Sequence, residues 1–136
     1  MKYKVKQKGI SENFIIDSCA TSREELGNDI YPPAKRCLRE HGIPFSSRRA
    51  RQITEKDFEF YDKIIAMESY NLRNMRRLLG PAYDKYENKI SLLLDHTGLH
   101  RDVEDPWYSG DFEGVYSDID TGCDGLLDEI LSEENY

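Results

Sequence analysis

Arg49-Ala50-Arg51-Gln52-Ile53-Thr54-Glu55-Lys56-Asp57-Phe58 runs on to Ile64-Ile65-Ala66-Met67-Glu68 and Asn71-Leu72, and this stretch decides the fold. Thr54-x-x-Asp57 has the form of a helical opening. A hydroxyl stands at the N-cap and a carboxylate faces the positive end of the turn, which predicts a short helix carrying Phe58 into a core. Asp62 to Met67 is a short apolar run and predicts a buried strand. Glu68 to Leu79 follows as a predicted helix, with Leu72, Met75, Leu78 and Leu79 on its inner side and Gly80-Pro81 as its stop. A strand feeding straight into a helix is the unit from which parallel sheets are built.

The same alternation continues in both directions. Phe14-Ile15-Ile16-Asp17-Ser18 reads as a buried strand delivering a polar loop, and Lys89 to Leu94 reads as another. Met1 to Lys8 resembles the back of a helix with no N-cap residue before it, closed by Gly9. Pro32-Pro33 opens a helix with Ala34, Cys37, Leu38 and His41 spaced along one face and Gly42 as its stop. Asp95 to Gly110 is a long loop punctuated by Pro and Gly, a length that marks functional loops in compact domains. Phe112 to Leu131 is the last predicted helix, with Val115, Ile119, Leu126, Leu127 and Ile130 inward despite Gly122 and Gly125. The acidic residues 132–136 form a solvated tail.

These elements predict a single α/β domain over 1–136 with a parallel sheet, whose ligand site lies beyond the carboxyl ends of the strands. Ser18, Met67-Glu68 and the loop after Leu94 are expected on that rim. Three short strands make a thin sheet, so a strand is expected to be missing from it.

Composition narrows the partners. A net charge of -7 in 136 residues disfavours a nucleic-acid surface, which needs clustered Lys and Arg. No apolar run is long enough to span a bilayer, and the start lacks the apolar region of a signal peptide, so a cytoplasmic protein is expected. Cys19, Cys37 and Cys123 are widely spaced and never in C-x-x-C, which disfavours a disulfide framework or a zinc site. His41, His96 and His100 lack the spacing of a metal motif, and neither metal nor cofactor is expected. Arg48, Arg49 and Arg51 lie near Glu55, Asp57 and Glu59, and read as a solvated ion-pair network rather than an anion patch.

Asp105-Pro106-Trp107-Tyr108 is the other informative run. Taken with Ile16-Asp17-Ser18, Pro33-Ala34, His41-Gly42-Ile43, Arg49-Ala50-Arg51-Gln52, Ala66-Met67 and Asn71-Leu72, it closely resembles the low-molecular-weight protein tyrosine phosphatases. The resemblance covers nearly the whole chain and implies a flavodoxin-like parallel sheet whose first, central strand ends in a phosphate-binding loop. In that family a Cys-x5-Arg-Ser/Thr loop supplies the nucleophile and cradles the phosphate, through a phosphocysteine intermediate. Six residues after Cys19, Cys37 and Cys123 stand Glu25, Ile43 and Glu129, so none of the three has the required Arg.

By the same resemblance Asp105 is the general acid that protonates the phenolate leaving group and later the base on the attacking water. Trp107 and Tyr108 match the aromatics that wall the substrate cleft, and Ser18 matches a serine that braces the phosphate loop. Read without the family, Asp-Pro simply starts a turn, Trp107 is a core or anchor residue, and Ser18 is an end-of-strand turn former. Glu68 and Arg48 depart from the commoner Asp and His at their positions.

The resemblance therefore implies a phosphotyrosine protein or small aryl phosphate as substrate, and a chain that is inactive as written because the first strand and nucleophile loop precede Met1. A coding frame that begins upstream is the expected explanation. Two alternatives stand beside it: a non-catalytic binding remnant, with self-association through unpaired strand edges, and an arsenate reductase of the same fold.

Overall fold

The computed structural model describes residues 1–22, 27–47 and 49–134, and for Trp107 and Glu134 it describes the backbone. Arg48 and the end of the tail lie outside the described residues. The chain forms two compact units, Met1–Gln52 and Ile53–Tyr136.

In the first unit, helix α1 spans Lys2–Gln7 and buries Val5. Its end is set by Gly9, whose φ of 70° lies in the left-handed region. That turn lets the Gly9 and Ile10 amides reach back to the carbonyls of Lys6 and Val5, each at 3.0 Å. Helix α2 spans Pro32–Glu40 and ends the same way, with Gly42 bonding to Arg39 and Ile43 to Leu38. Proline at its first turn costs no hydrogen bond, because those amides have no partner within a helix.

Phe14 to Ser18, expected as a buried strand, joins no ladder among the described residues, and Ile15 is 71% exposed. Pairing is displaced onward to a single parallel bridge between Ala20 and Gln52. The Ala20 amide donates to Arg51 at 2.7 Å and the Gly27 amide to Ala50 at 2.8 Å, so Ala50–Gln52 serves as the edge for both. A β-branched run forms a buried strand only where neighbours cover its faces, and Ile15 has no such cover here.

The second unit holds the sheet. Thr54 caps helix α3, Glu55–Phe60, through the predicted pairing: the Thr54 amide donates to Asp57 at 2.8 Å. Strand β1, Ile64–Ala66, pairs in parallel with β2, Ile90–Leu92, in the register Ile64 to Ile90. Helices α4, Ser69–Leu79, and α5, Tyr83–Tyr86, make the crossover between them. Helix α6, Pro106–Ser109, and the long α7, Phe112–Glu134, complete the chain. The expected three-stranded sheet is thus two-stranded among the described residues.

Phe58, Ile64, Ala66, Met75, Tyr83 and Tyr86 close the core under the sheet, with Leu72 and Leu79 packed against it. Burying Phe58 alone contributes roughly 1.5–3 kcal/mol. Leu78, expected inward, is instead 49% exposed. Leu72, Met75 and Leu79 share a face at helical spacing, and Leu78 falls about 100° from Leu79.

Helix α7 lies on the turn Leu93–Thr97. Two of its glycines, Gly122 and Gly125, explain how closely. A Cβ on Gly122 would stand 2.5 Å from the Leu93 side chain, and one on Gly125 would stand 2.3 Å from the His96 carbonyl oxygen. Those positions are bare because backbone and turn occupy the space a side chain would need.

Candidate active site

Beyond the carboxyl end of β1, the chain turns through Met67 and Glu68 into α4. Asn71 shapes that turn: its side-chain oxygen accepts the amides of Met67 at 3.2 Å and Glu68 at 3.1 Å. Two donors on one amide side chain fix the corner where strand becomes helix. This gives Asn71, quoted in the sequence for its place in a motif, a role that local sequence does not disclose.

The loop that follows the second strand is fastened to the same corner. The Val103 amide donates to the Met67 carbonyl at 2.7 Å, and Val103 is buried. Ser69 Oγ donates to Asp102 at 2.9 Å. On its far side the loop is held by Arg101, which makes two parallel bonds of 2.9 Å to Asp118 of α7.

Asp105 stands at the exposed end of this loop and opens α6, with its carbonyl accepting the Tyr108 amide at 3.2 Å. Tyr108 is 81% exposed. Glu68 carries the electrostatic record of the arrangement. Its carboxyl is raised above its ordinary value by burial first, then by the charges of Asp105 and Asp102, against a lowering pull from Arg73. Glu68, noted in the sequence only as a departure from the usual Asp, thus shares its surroundings with Asp105.

Asp105, Trp107 and Tyr108 therefore lie on one short stretch anchored to the β1 exit, and the Trp107 side chain is outside the described residues. Ser18 is exposed and belongs to the first unit, where its amide donates to Asp17 at 2.8 Å and Asp17 pairs with Arg51 at 3.1 Å. Asp105 itself is exposed.

The family model for low molecular weight phosphotyrosine protein phosphatase matches residues 1–135. The chain belongs to this family. It is 35% identical over 130 residues to the low molecular weight protein-tyrosine-phosphatase YfkJ of Bacillus subtilis, covering 94% of this chain and 81% of that protein. The Homo sapiens low molecular weight phosphotyrosine protein phosphatase is 38% identical over 128 residues, covering 92% and 80%. The crystal structure of YfkJ superposes with a TM-score of 0.90 over 97% of this chain and 82% of that one. The α/β fold of the phosphatase family is thereby established. No helix among the described residues is long and apolar enough to cross a membrane.

Proposed function

We propose that these 136 residues form the acid-and-cleft portion of one phosphotyrosine phosphatase domain, with Asp105 as general acid and base and Trp107 and Tyr108 as cleft walls. The family match through residue 135, with Asp105-Pro106 leading α6 from a loop fastened at the β1 exit, carries the reading.

Hydrolysis of an aryl phosphate through a phosphocysteine needs an attacking thiolate, donors for the phosphate oxygens and a proton for the phenolate. Asp105 supplies the last of these. The departing phenolate oxygen takes its proton, and the resulting carboxylate then draws one from the water that releases phosphate. The thiolate and its arginine are not among residues 1–136, since no Cys is followed by Arg at the required spacing. The polypeptide as written is therefore inactive toward phosphotyrosine. Ser18 braces the phosphate loop where that loop is present, and the soluble domain acts on phosphotyrosine proteins or small aryl phosphates in the cytoplasm.

The deciding experiment compares two polypeptides with p-nitrophenyl phosphate. The 136-residue chain should release no p-nitrophenol above background. The same chain preceded by an apolar strand and a Cys-x5-Arg-Ser loop should turn over without added metal. Turnover by the shorter chain at a comparable rate refutes the proposal. Stoichiometric binding of a phosphotyrosine peptide by both, with turnover by neither, instead identifies a non-catalytic binding protein.

A further inference from the structure

We propose that Ser91, His96 and Glu129 form a second reactive centre, in which Ser91 is a nucleophile toward small activated carboxylic esters and fluorophosphonates. The Ser91 Oγ lies 2.8 Å from Nε2 of His96, and Nδ1 of the same ring lies 2.5 Å from Oε2 of Glu129. A carboxylate only accepts, so Glu129 fixes the proton on Nδ1 and leaves the Nε2 lone pair facing the hydroxyl. Ser91 then donates to Nε2. Nucleophile, base and orienting acid stand in the order that activates serine in acyl transfer, a constellation recognised by geometry rather than by chain order.

The fold holds the three groups from different elements. Ser91 lies on β2, and His96 follows in the turn Leu93–Thr97. That turn is fixed by Leu92 donating to Asp95 at 3.2 Å and by Thr97 Oγ1 donating to the Leu94 carbonyl at 2.7 Å. Helix α7 reaches the ring because Gly125 lets its backbone rest on the His96 carbonyl, and Glu129 follows one turn later on the same face. The His96 side chain is 13% exposed and Glu129 46%, while Ser91 is half-buried, and the proposal requires that a small ester reach the hydroxyl.

The chemistry balances within the trio and water. As Oγ bonds to the ester carbonyl carbon, its proton passes to Nε2. The imidazolium returns that proton to the departing alkoxide or phenoxide, and water then cleaves the acyl-serine by the reverse sequence. With a fluorophosphonate, an Oγ–P bond forms, the P–F bond breaks, fluoride leaves and the adduct is stable. A trio only partly exposed makes slow stoichiometric acylation the expected behaviour rather than rapid turnover. This centre is independent of the phosphatase reading, because it uses neither Asp105 nor an aryl phosphate.

The test is to incubate the 136-residue chain with a biotinylated fluorophosphonate and to follow intact mass and peptide maps. One adduct on Ser91 is expected, absent in Ser91→Ala, slowed at least about tenfold in His96→Gln and several-fold in Glu129→Gln. Circular dichroism selects the variants that fold, and the half-exposed Glu129→Gln serves if His96→Gln does not. No adduct on Ser91, an adduct formed equally fast in urea, or rates unchanged in the folded variants each overturn the proposal.

Discussion

The amide of Val103 donates to the carbonyl of Met67 across 2.7 Å, joining the loop that carries Asp105 to the exit of β1. The bond lies two residues from Asp105, and two residues further back the Arg101–Asp118 pair ties the loop to α7. A loop held at two successive points just before Asp105 presents that residue in a defined place without burying it.

Val103→Pro removes that donor and leaves the Met67 carbonyl without it. A loss of roughly 1–3 kcal/mol is expected in urea denaturation, with faster hydrogen exchange confined to the loop 98–110. Equal exchange in parent and variant would show that the bond does not anchor the loop.

Glu68→Gln tests the raised carboxyl. Because Glu68 binds its proton more tightly in the folded state, stability falls as pH rises from the ordinary glutamate range through the raised folded value. The variant lacks this proton linkage. It should gain on the parent as pH rises through that window, by less than about 1 kcal/mol for a half-exposed group, and the gain should disappear on acidification. Chemical denaturation in a pH series measures it, and a difference independent of pH would contradict the assignment.

Gly125→Ala and Gly122→Ala should both destabilise, although alanine is the better helix former by roughly 1 kcal/mol. Gly122 faces the end of the Leu93 side chain, which has some freedom to turn aside, whereas Gly125 faces the His96 backbone. We expect about 1–3 kcal/mol for each, with Gly125→Ala the larger. Thermal unfolding of the two variants side by side decides the order.

In a polypeptide completed with a Cys-x5-Arg-Ser loop, Asp105→Asn should lower kcat by about 10²–10⁴ for phenyl phosphate. The loss should be much smaller for p-nitrophenyl phosphate, whose phenolate leaves readily without a proton. Equal losses on the two substrates would remove Asp105 from leaving-group protonation. Trp107, the only tryptophan, should change its emission when a phosphotyrosine analogue binds.

Among the described residues β1 pairs only with β2. A strand with an open edge invites a further strand, so the 136-residue chain is expected to self-associate. Sedimentation velocity over a dilution series should show concentration-dependent dimers, and a monomer throughout would dismiss this.

Local chemistry made much of the second unit legible. The Thr54 cap, the Phe58 anchor, the Glu68 to Leu79 helix and both strands are found where side-chain spacing placed them, because each depends on residues within a turn or two. Leu78 is apolar yet faces outward, because its angle around the helix carries it off the face that Leu72, Met75 and Leu79 share. Phe14 to Ser18 departs from expectation for a different reason, since β-branched residues favour a strand but do not supply the neighbours that would cover it. The roles proposed for Asp105 and Tyr108 rest on a long-range resemblance, whereas the clamps from Met67 to Val103 and from Arg101 to Asp118 join residues far apart in the chain and leave no local signature.

The bare patch at Gly125 acts as a key in a slot. Rotating α7 by one residue would drive Asp124 or Leu126 into the His96 carbonyl, so the helix has a single allowed rotational setting. That one setting aims Asp118 at Arg101 near one end and Glu129 at His96 near the other. A missing methyl group thus decides the bearing of two carboxylates, one a turn ahead of it and one two turns behind.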